Sequence, residues 1–301
     1  MRGPELRVDV GRPPEWLVSG PLDPANSDAF RSWDGTDGDY WADNADRFDA
    51  TLTRYLPPFL AAAELTAGER VLDIGCGNGQ TTLEAARRTS PGRAMGLDLS
   101  TAMLEVGRRR ASEQMVANVE FVQGDAQAYH FEPGGFDVVM SRFGVMFFAD
   151  PAAAFTNIGR GVREGGRLVF LVWRGPAENR WMQVLSGAVL PPGVTPPAPP
   201  PGAPGPMSLA DPDRVRTLLS GAGFGKVKLT PVVAPMSWGP DVDTAYAFLS
   251  GQPVLRNLTK DLDDAARAEG MLRLRAAVEE NLTPEGVLLD ASAWLVTAAR
   301  S

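Results

Sequence analysis

The chain has 301 residues, 44% of them hydrophobic and 22% charged, with a formal net charge of −8. That supports one large soluble domain, or a domain with a smaller companion, and argues against nucleic acid as a partner. A single cysteine, no apolar run of membrane-span length and no continuous apolar stretch behind Arg2 point to a cytoplasmic protein without disulfide, membrane anchor or signal peptide.

Residues 1–31 are rich in Pro, Gly and Asp and read as an extended arm. Residues 32–64 read as a helical segment, with Phe48, Leu52, Tyr55 and Phe59 at helical spacing and Pro57-Pro58 breaking or restarting the helix. Across 65–175, strand and helix patterns alternate as in a parallel α/β sheet. Strands are predicted at 70–74, 94–98, 119–122, 136–141 and 168–173. Helices are predicted from Gln80, after a capping Ser100, and from Asp150-Pro151 to a stop at Gly165-Gly166. Arg108-Arg109-Arg110 reads as a solvated helix end rather than a binding patch.

Residues 176–206 read as a loop. Nine of the sixteen residues over 191–206 are proline, which forbids regular helix or central strand and leaves a stiff lid or a plain connection. The remainder, 207–301, begins with a helix at Asp211-Pro212 and a strand at 224–233. Two helical patterns follow over 240–282, read as a cap insertion, and then a last strand at 293–299.

The chemistry concentrates at Val71-Leu72-Asp73-Ile74-Gly75-Cys76-Gly77-Asn78-Gly79-Gln80. A short apolar run, a glycine turn and a helix start make the nucleotide-binding corner of an open parallel sheet. The spacing is G-x-G-x-G rather than the dinucleotide G-x-G-x-x-G. Asp73 just before it would repel a pyrophosphate but meet a cation, which disfavours a nicotinamide dehydrogenase. Asp98 ends the second strand, where a carboxylate accepts from ribose hydroxyls. Cys76 reads as a small residue packed beneath a ligand, since no histidine is near it in sequence to activate a thiol. His130, the only histidine, is not assigned a catalytic role. No metal-ligand spacing, G-x-S-x-G elbow or P-loop lysine is present in the sequence, so no metal is expected.

Asp73-Ile-Gly-Cys-Gly-Asn-Gly79 resembles motif I of the class I S-adenosylmethionine (SAM) dependent methyltransferases of the bacterial-like, small-molecule type. Gly96-Leu-Asp98-Leu-Ser100 resembles their motif II, and Gly124-Asp125-Ala126-Gln127 their adenine contact. The resemblance is firm over 65–175 and weaker over 30–60 and 205–232. It implies a Rossmann-like, seven-stranded, mostly parallel sheet with helices on both faces, an antiparallel last strand and a small helical cap over the active site.

The resemblance also implies SAM as cofactor and S-adenosylhomocysteine as product. Asp73, Gly75, Cys76, Gly77 and Gly79 would wrap the methionine end and Asp98 the ribose. Asp125 would accept from the adenine amino group and the Ala126 N–H would donate to its ring, with Leu99 and Met103 as apolar walls. Tyr40 and Trp41 resemble an aromatic pair in a segment that closes over SAM; packing on the core is the other reading. Ser141, Arg142, Phe143 and Met146 follow the fourth strand, beneath the transferring methyl, and Trp173 and Trp181 would roof the substrate. Arg142 either binds a substrate anion or pairs with a local carboxylate.

The implied activity is methyl transfer to a small-molecule acceptor by in-line displacement in an apolar pocket, which needs no diagnostic base, so no catalytic residue is named. The alternative is a SAM-binding protein of the same fold without methyl transfer, either a rearrangement or cyclisation catalyst or a non-catalytic binding protein. Monomer and homodimer both remain open.

Overall fold

The computed structural model describes residues 22–195, 200 and 202–301. Positions 1–21 of the expected arm, and 196–199 and 201 of the Pro-rich stretch, lie outside the described residues. Apolar runs buried on both faces build the parallel part of the sheet: β1 (Arg70–Ile74), β2 (Arg93–Asp98), β3 (Val119–Gln123), β4 (Phe136–Arg142) and β5 (Val162–Trp173). β6 (Phe224–Gly239), the two-residue β7 (Leu282–Thr283) and β8 (Gly286–Arg300) complete it. The order is β3-β2-β1-β4-β5-β8-β6, with β7 paired to β8, so the sheet has eight strands rather than the expected seven. β8 runs antiparallel to both β5 and β6, the reversal that the resemblance implied. The chain turns outward on one side of β1 to β2 and on the other to β4, which opens a ligand crevice at the carboxyl ends of those strands.

The N-terminal helices are α1 (Ser27–Trp33), α2 (Thr36–Asp43), α3 (Ala45–Thr51) and α4 (Leu56–Ala63). The expected arm is therefore helical from Pro24 rather than extended, because the Asp23 carboxylate accepts the Ala25 N–H at 2.8 Å and Pro24 starts a 3-10 turn. Pro57 and Pro58 restart the chain as α4, in a first turn where their missing N–H groups cost nothing. In the nucleotide-binding half, α5 (Gln80–Thr89), α6 (Thr101–Glu113) and α7 (Pro151–Gly161) follow their strands. Ser100 accepts the Met103 N–H at 3.3 Å and Asp150 the Ala153 N–H at 3.0 Å, as such caps should.

α7 stops at Gly161 instead of at Gly165-Gly166. Val162 already pairs with Phe136 of β4, and Gly165, at φ +69°, turns within the long β5. The cap consists of α8 (Arg180–Val189), then, after α9 (Pro212–Gly221), of α10 (Val242–Ser250), α11 (Pro253–Thr259) and α12 (Asp264–Glu280). Three helices stand where two patterns were expected, because Pro253 opens a new one. α12 rests on α8 at Gly270, where a Cβ would lie 2.4 Å from the Val189 carbonyl oxygen. No described helix is long and apolar enough to cross a membrane.

Residues 22–55 form a strap across the carboxyl ends of the strands, and α4 then runs down to Arg167 of β5. At one end Asp23 and Asn26 bond Asp125 after β3; at the other, the Tyr55 hydroxyl donates to Ala234 O of β6 at 2.9 Å. Between them, Asp49 of α3 accepts from Arg110 of α6 at 2.8 Å and from Arg142 of β4 at 3.1 Å, and all three side chains are largely buried. Arg110 also donates to Asp46 at 2.6 Å, so the last arginine of the expected solvated run is an internal tie. Removing the shared carboxylate leaves two buried guanidinium groups without it, which is the costly way to break such a pair. Asp49→Ala should therefore lower stability by about 3 kcal/mol in urea denaturation, far more than removal of an exposed pair such as Arg109–Glu113.

Candidate active site

Local sequence sets the centre of the site. Gly75, Gly77 and Gly79 adopt φ of +61°, +54° and +79°, open to glycine and strained for other residues. Gly75 presses on Gly144 of the turn after β4: a Cβ on Gly75 would lie 2.8 Å from the Gly144 Cα. The Ser141 hydroxyl donates to Ile74 O at 2.7 Å and is fully buried, so it ties β4 to β1 and does not face a ligand.

Asp73 lies under the loop with no exposed surface. Its Oδ2 accepts from the Thr81 and Thr82 hydroxyls, both at 2.7 Å, while Oδ1 has no partner. Burial pushes its carboxyl up to about 6, despite those hydroxyls and the nearby Arg142. A buried carboxylate oxygen without a partner is rare in a folded chain and suits a positively charged neighbour. Asp98 is likewise buried and pushed up by burial. Its Oδ2 accepts the Gly77 N–H at 2.8 Å and its Oδ1 the Ser100 N–H at 2.9 Å, leaving one acceptor position on each oxygen for a diol. The Cys76 thiol is pushed well up by burial and by the charges of Asp98 and Asp73, consistent with a packed residue and not a nucleophile. The Met103 sulfur borders Gly77, 3.7 Å from where a Cβ would sit. Leu99, half-buried, gives its carbonyl to the Gln123 amide at 2.9 Å.

After β3, Asp125 and Ala126 are buried. The Ala126 carbonyl accepts from Asn157 at 3.0 Å, and the Asp125 carboxylate is surrounded by donors from the strap. Trp41 reaches the glycine loop, its carbonyl accepting from the Asn78 amide at 3.0 Å and its ring stacked on Phe48. Tyr40 does not reach it. Its hydroxyl donates to Phe248 O at 2.5 Å and its ring stacks on Phe248 of the cap.

Of the two readings of Arg142, the pairing with a local carboxylate holds: it donates to Asp49 at 3.1 Å and to Gln80 at 2.5 Å. Phe143, at φ +63°, stacks on Trp173 at 4.0 Å between ring centres, and Trp173 meets Trp181 at 5.6 Å. Met146 lies beside them, its sulfur accepting the Trp173 N–H at 3.5 Å. Trp238 and Phe248 extend this buried aromatic cluster, and the Trp238 Nε1–H is a buried donor with no partner. The Gly205 N–H and the Ser208 hydroxyl both donate to Met146 O.

His130 is exposed and lines a separate cleft of about 650 Å³ at the amino ends of β1 to β4, with Arg70, Glu120 and Tyr129. Sequence reading missed Asn26, Asp49 and Trp238. Only Trp238 carried a signal, an aromatic at the far end of an alternating strand.

The fold and this corner define a Rossmann-like class I methyltransferase architecture. A family model described as a methyltransferase domain matches residues 71–166. The demethylmenaquinone methyltransferase of Lactococcus lactis is 38% identical over 103 residues, which are 34% of this chain and 41% of that protein. The ubiquinone/menaquinone biosynthesis C-methyltransferase UbiE of a Ruegeria species is 39% identical over 105 residues, 35% of this chain and 42% of that protein. The chain thus spans less than half the length of these relatives. The phosphoethanolamine N-methyltransferase 2 of Haemonchus contortus, solved with S-adenosylhomocysteine, superposes with a TM-score of 0.53 at 18% identity, covering 90% of this chain and 59% of that one. Residues 71–166 are thus similar to a methyltransferase domain, and the fold as a whole to that of solved methyltransferases.

The raised Asp73 carboxyl has a consequence for stability. The folded protein holds this proton up to about pH 6, whereas the unfolded chain releases it near the ordinary 3.8. Between those values the unfolded form gains by ionising, so stability falls as pH rises and levels off above 6. Asp73→Asn should become more stable relative to wild type between pH 4 and 6.5 in urea denaturation, with a constant difference beyond.

Proposed function

We propose that the protein transfers a methyl group from SAM to a planar, oxygenated aromatic small molecule. The observation that carries this reading is the cation-receptive glycine corner touching an aromatic basin through the Gly75–Gly144 contact. SAM supplies a methyl on a positively charged sulfur, which an electron-rich acceptor displaces in line. The orphaned Asp73 Oδ1 suits the ammonium of its methionine end, met directly or through water. The glycine loop lets the backbone approach it, and the unused acceptor positions of Asp98 suit its ribose diol.

Beyond Gly144 the chain offers rings and little polarity. A water-poor aromatic chamber favours a reaction in which positive charge disperses, and it aligns a flat acceptor by stacking. The phenols of Tyr40 and Tyr55 border this basin and burial pushes both up, so neither serves as a base near neutral pH. The basin therefore suits an acceptor that arrives as a phenolate, or one whose proton leaves to solvent after transfer. The buried, partnerless Trp238 Nε1–H supplies a hydrogen bond for an acceptor oxygen. The relatives' names, which refer to quinone biosynthesis, support an acceptor of this class.

Calorimetric titration with S-adenosylhomocysteine tests the cofactor. Wild type should bind, and Asp98→Ala should weaken binding at least tenfold, as for a lost charged hydrogen bond. Failure of wild type to bind overturns the reading. For the acceptor, SAM labelled in its methyl group should pass label to a 1,4-naphthohydroquinone. Trp238→Phe, which keeps the ring and loses the donor, should raise the KM for that acceptor about tenfold with little change in the affinity for S-adenosylhomocysteine.

A further inference from the structure

The Asp125 carboxylate is filled from within the chain. Its Oδ1 accepts the Gln127 N–H at 2.9 Å and its Oδ2 the Asp23 N–H at 3.0 Å, and the Asn26 amide nitrogen donates to both oxygens at 2.9 Å. A carboxylate has about four acceptor positions, and all are taken. The same Asn26 side chain turns its Oδ1 to the Ala149 N–H, which donates at 3.0 Å. Asn26 therefore presents an amino donor and an oxygen acceptor side by side, to a carboxylate and a backbone N–H.

An adenine edge presents the same pair, an exocyclic amino group beside a ring nitrogen acceptor. We propose that Asn26 is an internal surrogate for adenine: it occupies the adenine subsite, and the cofactor enters by exchanging places with it. The proposal rests on the SAM reading above and on the resemblance, which implies that Asp125 meets the adenine amino group; the donor to the Asn26 oxygen is the Ala149 N–H and not the implied Ala126 N–H.

The way the segment is attached fits an exchangeable latch. In the 3-10 turn Pro24–Asn26 only Asn26 is buried, and α1 buries no residue at all. Leu22, Pro24 and Ala25 are exposed. Residues 23–26 are thus held mainly by hydrogen bonds, each of which water or a ligand can replace. The strap further on is different, because Phe48 and Tyr55 anchor it in the core. Release can therefore run from residue 22 along α1 and stop at Trp33, whose ring packs edge-on against Trp41 and Phe147. While the latch is closed, the competent fraction of molecules is small and the apparent affinity falls by that fraction.

Asn26→Leu keeps the volume and removes both donor and acceptor. In calorimetry it should bind S-adenosylhomocysteine, and adenosine alone, about tenfold more tightly than wild type. A second measurement needs no variant: hydrogen exchange of the wild-type chain with and without S-adenosylhomocysteine. Bound ligand should speed exchange over residues 27–33 while slowing it in the glycine loop. If wild type binds, and Asp98→Ala weakens it, but Asn26→Leu binds no tighter or exchange over 27–33 slows, Asn26 is a fixed strut: the surrogate proposal falls and the cofactor reading stands. If neither wild type nor Asn26→Leu binds the ligand, the cofactor reading itself fails, and this proposal with it.

Discussion

The site depends on one backbone contact, the approach of Gly75 to Gly144. With no side chain on either, the loop after β1 and the turn after β4 meet so closely that a Cβ on Gly144 would lie 2.8 Å from the Gly75 Cα. Ser141 holds the two strand ends in step just before the loops diverge, its hydroxyl bonded to Ile74 O. This closeness fixes the direction of Phe143. A left-handed φ of +63° is unfavourable for a side chain of that size, and it persists because the ring gains a stack on Trp173. The glycine corner and the aromatic cluster are thus two sides of one wall, joined at the Gly75–Gly144 contact.

The strap completes the wall from above, and its two halves use different physics. From Ala45 onward it is bound by burial: Phe48 and Tyr55 are core residues, and Asp49 joins α6 to β4 through two arginines. Before Gly35 it is bound by polar groups and by one aromatic contact, Trp33 against Trp41 and Phe147. Asp34 accepts the Thr101 N–H, and Asp23 and Asn26 close on Asp125. Apolar burial cannot be exchanged for a ligand one contact at a time, whereas hydrogen bonds can. A fixed anchor next to an exchangeable end allows one segment both to hold the fold and to answer to the site.

Legibility in the sequence follows contact range. Asp73, the glycines and Asp98 lie on one strand–turn–helix unit and the strand beside it, so local pattern is enough to find them and to separate the loop from a dinucleotide fingerprint. The parallel strands were legible for the same reason, since each is a short apolar run between breakers. The insertion of β8 between β5 and β6 was not visible in periodicity, because a strand's pattern records which face is buried and not which neighbour it pairs with. Arg142 shows the limit most clearly: its two readings differ only in whether a carboxylate stands opposite, and Asp49 lies 93 residues away in sequence. Asn26 and Asp125, 99 residues apart, belong to the same class. A Pro- and Asp-rich start gives no hint that one asparagine within it will be buried.

Asp73, Asp98 and Asp125 end, or follow, β1, β2 and β3, and the fold satisfies them unequally. Asp125 receives four hydrogen bonds, Asp98 two backbone N–H groups, and Asp73 two hydroxyls on one oxygen with nothing on the other. Buried carboxylates are held ionised by the donors they collect, so the cost of charge is greatest at Asp73, whose carboxyl is pushed up to about 6. A ligand with its positive charge at the β1 end, hydroxyls at β2 and an amino edge at β3 relieves the chain in that same order. Its largest gain comes where the protein alone is least satisfied, and its gain is smallest at Asp125, where it must first displace a side chain that already fits. Affinity in such a site is set less by the contacts a ligand makes than by how poorly or well the chain itself satisfies the same groups.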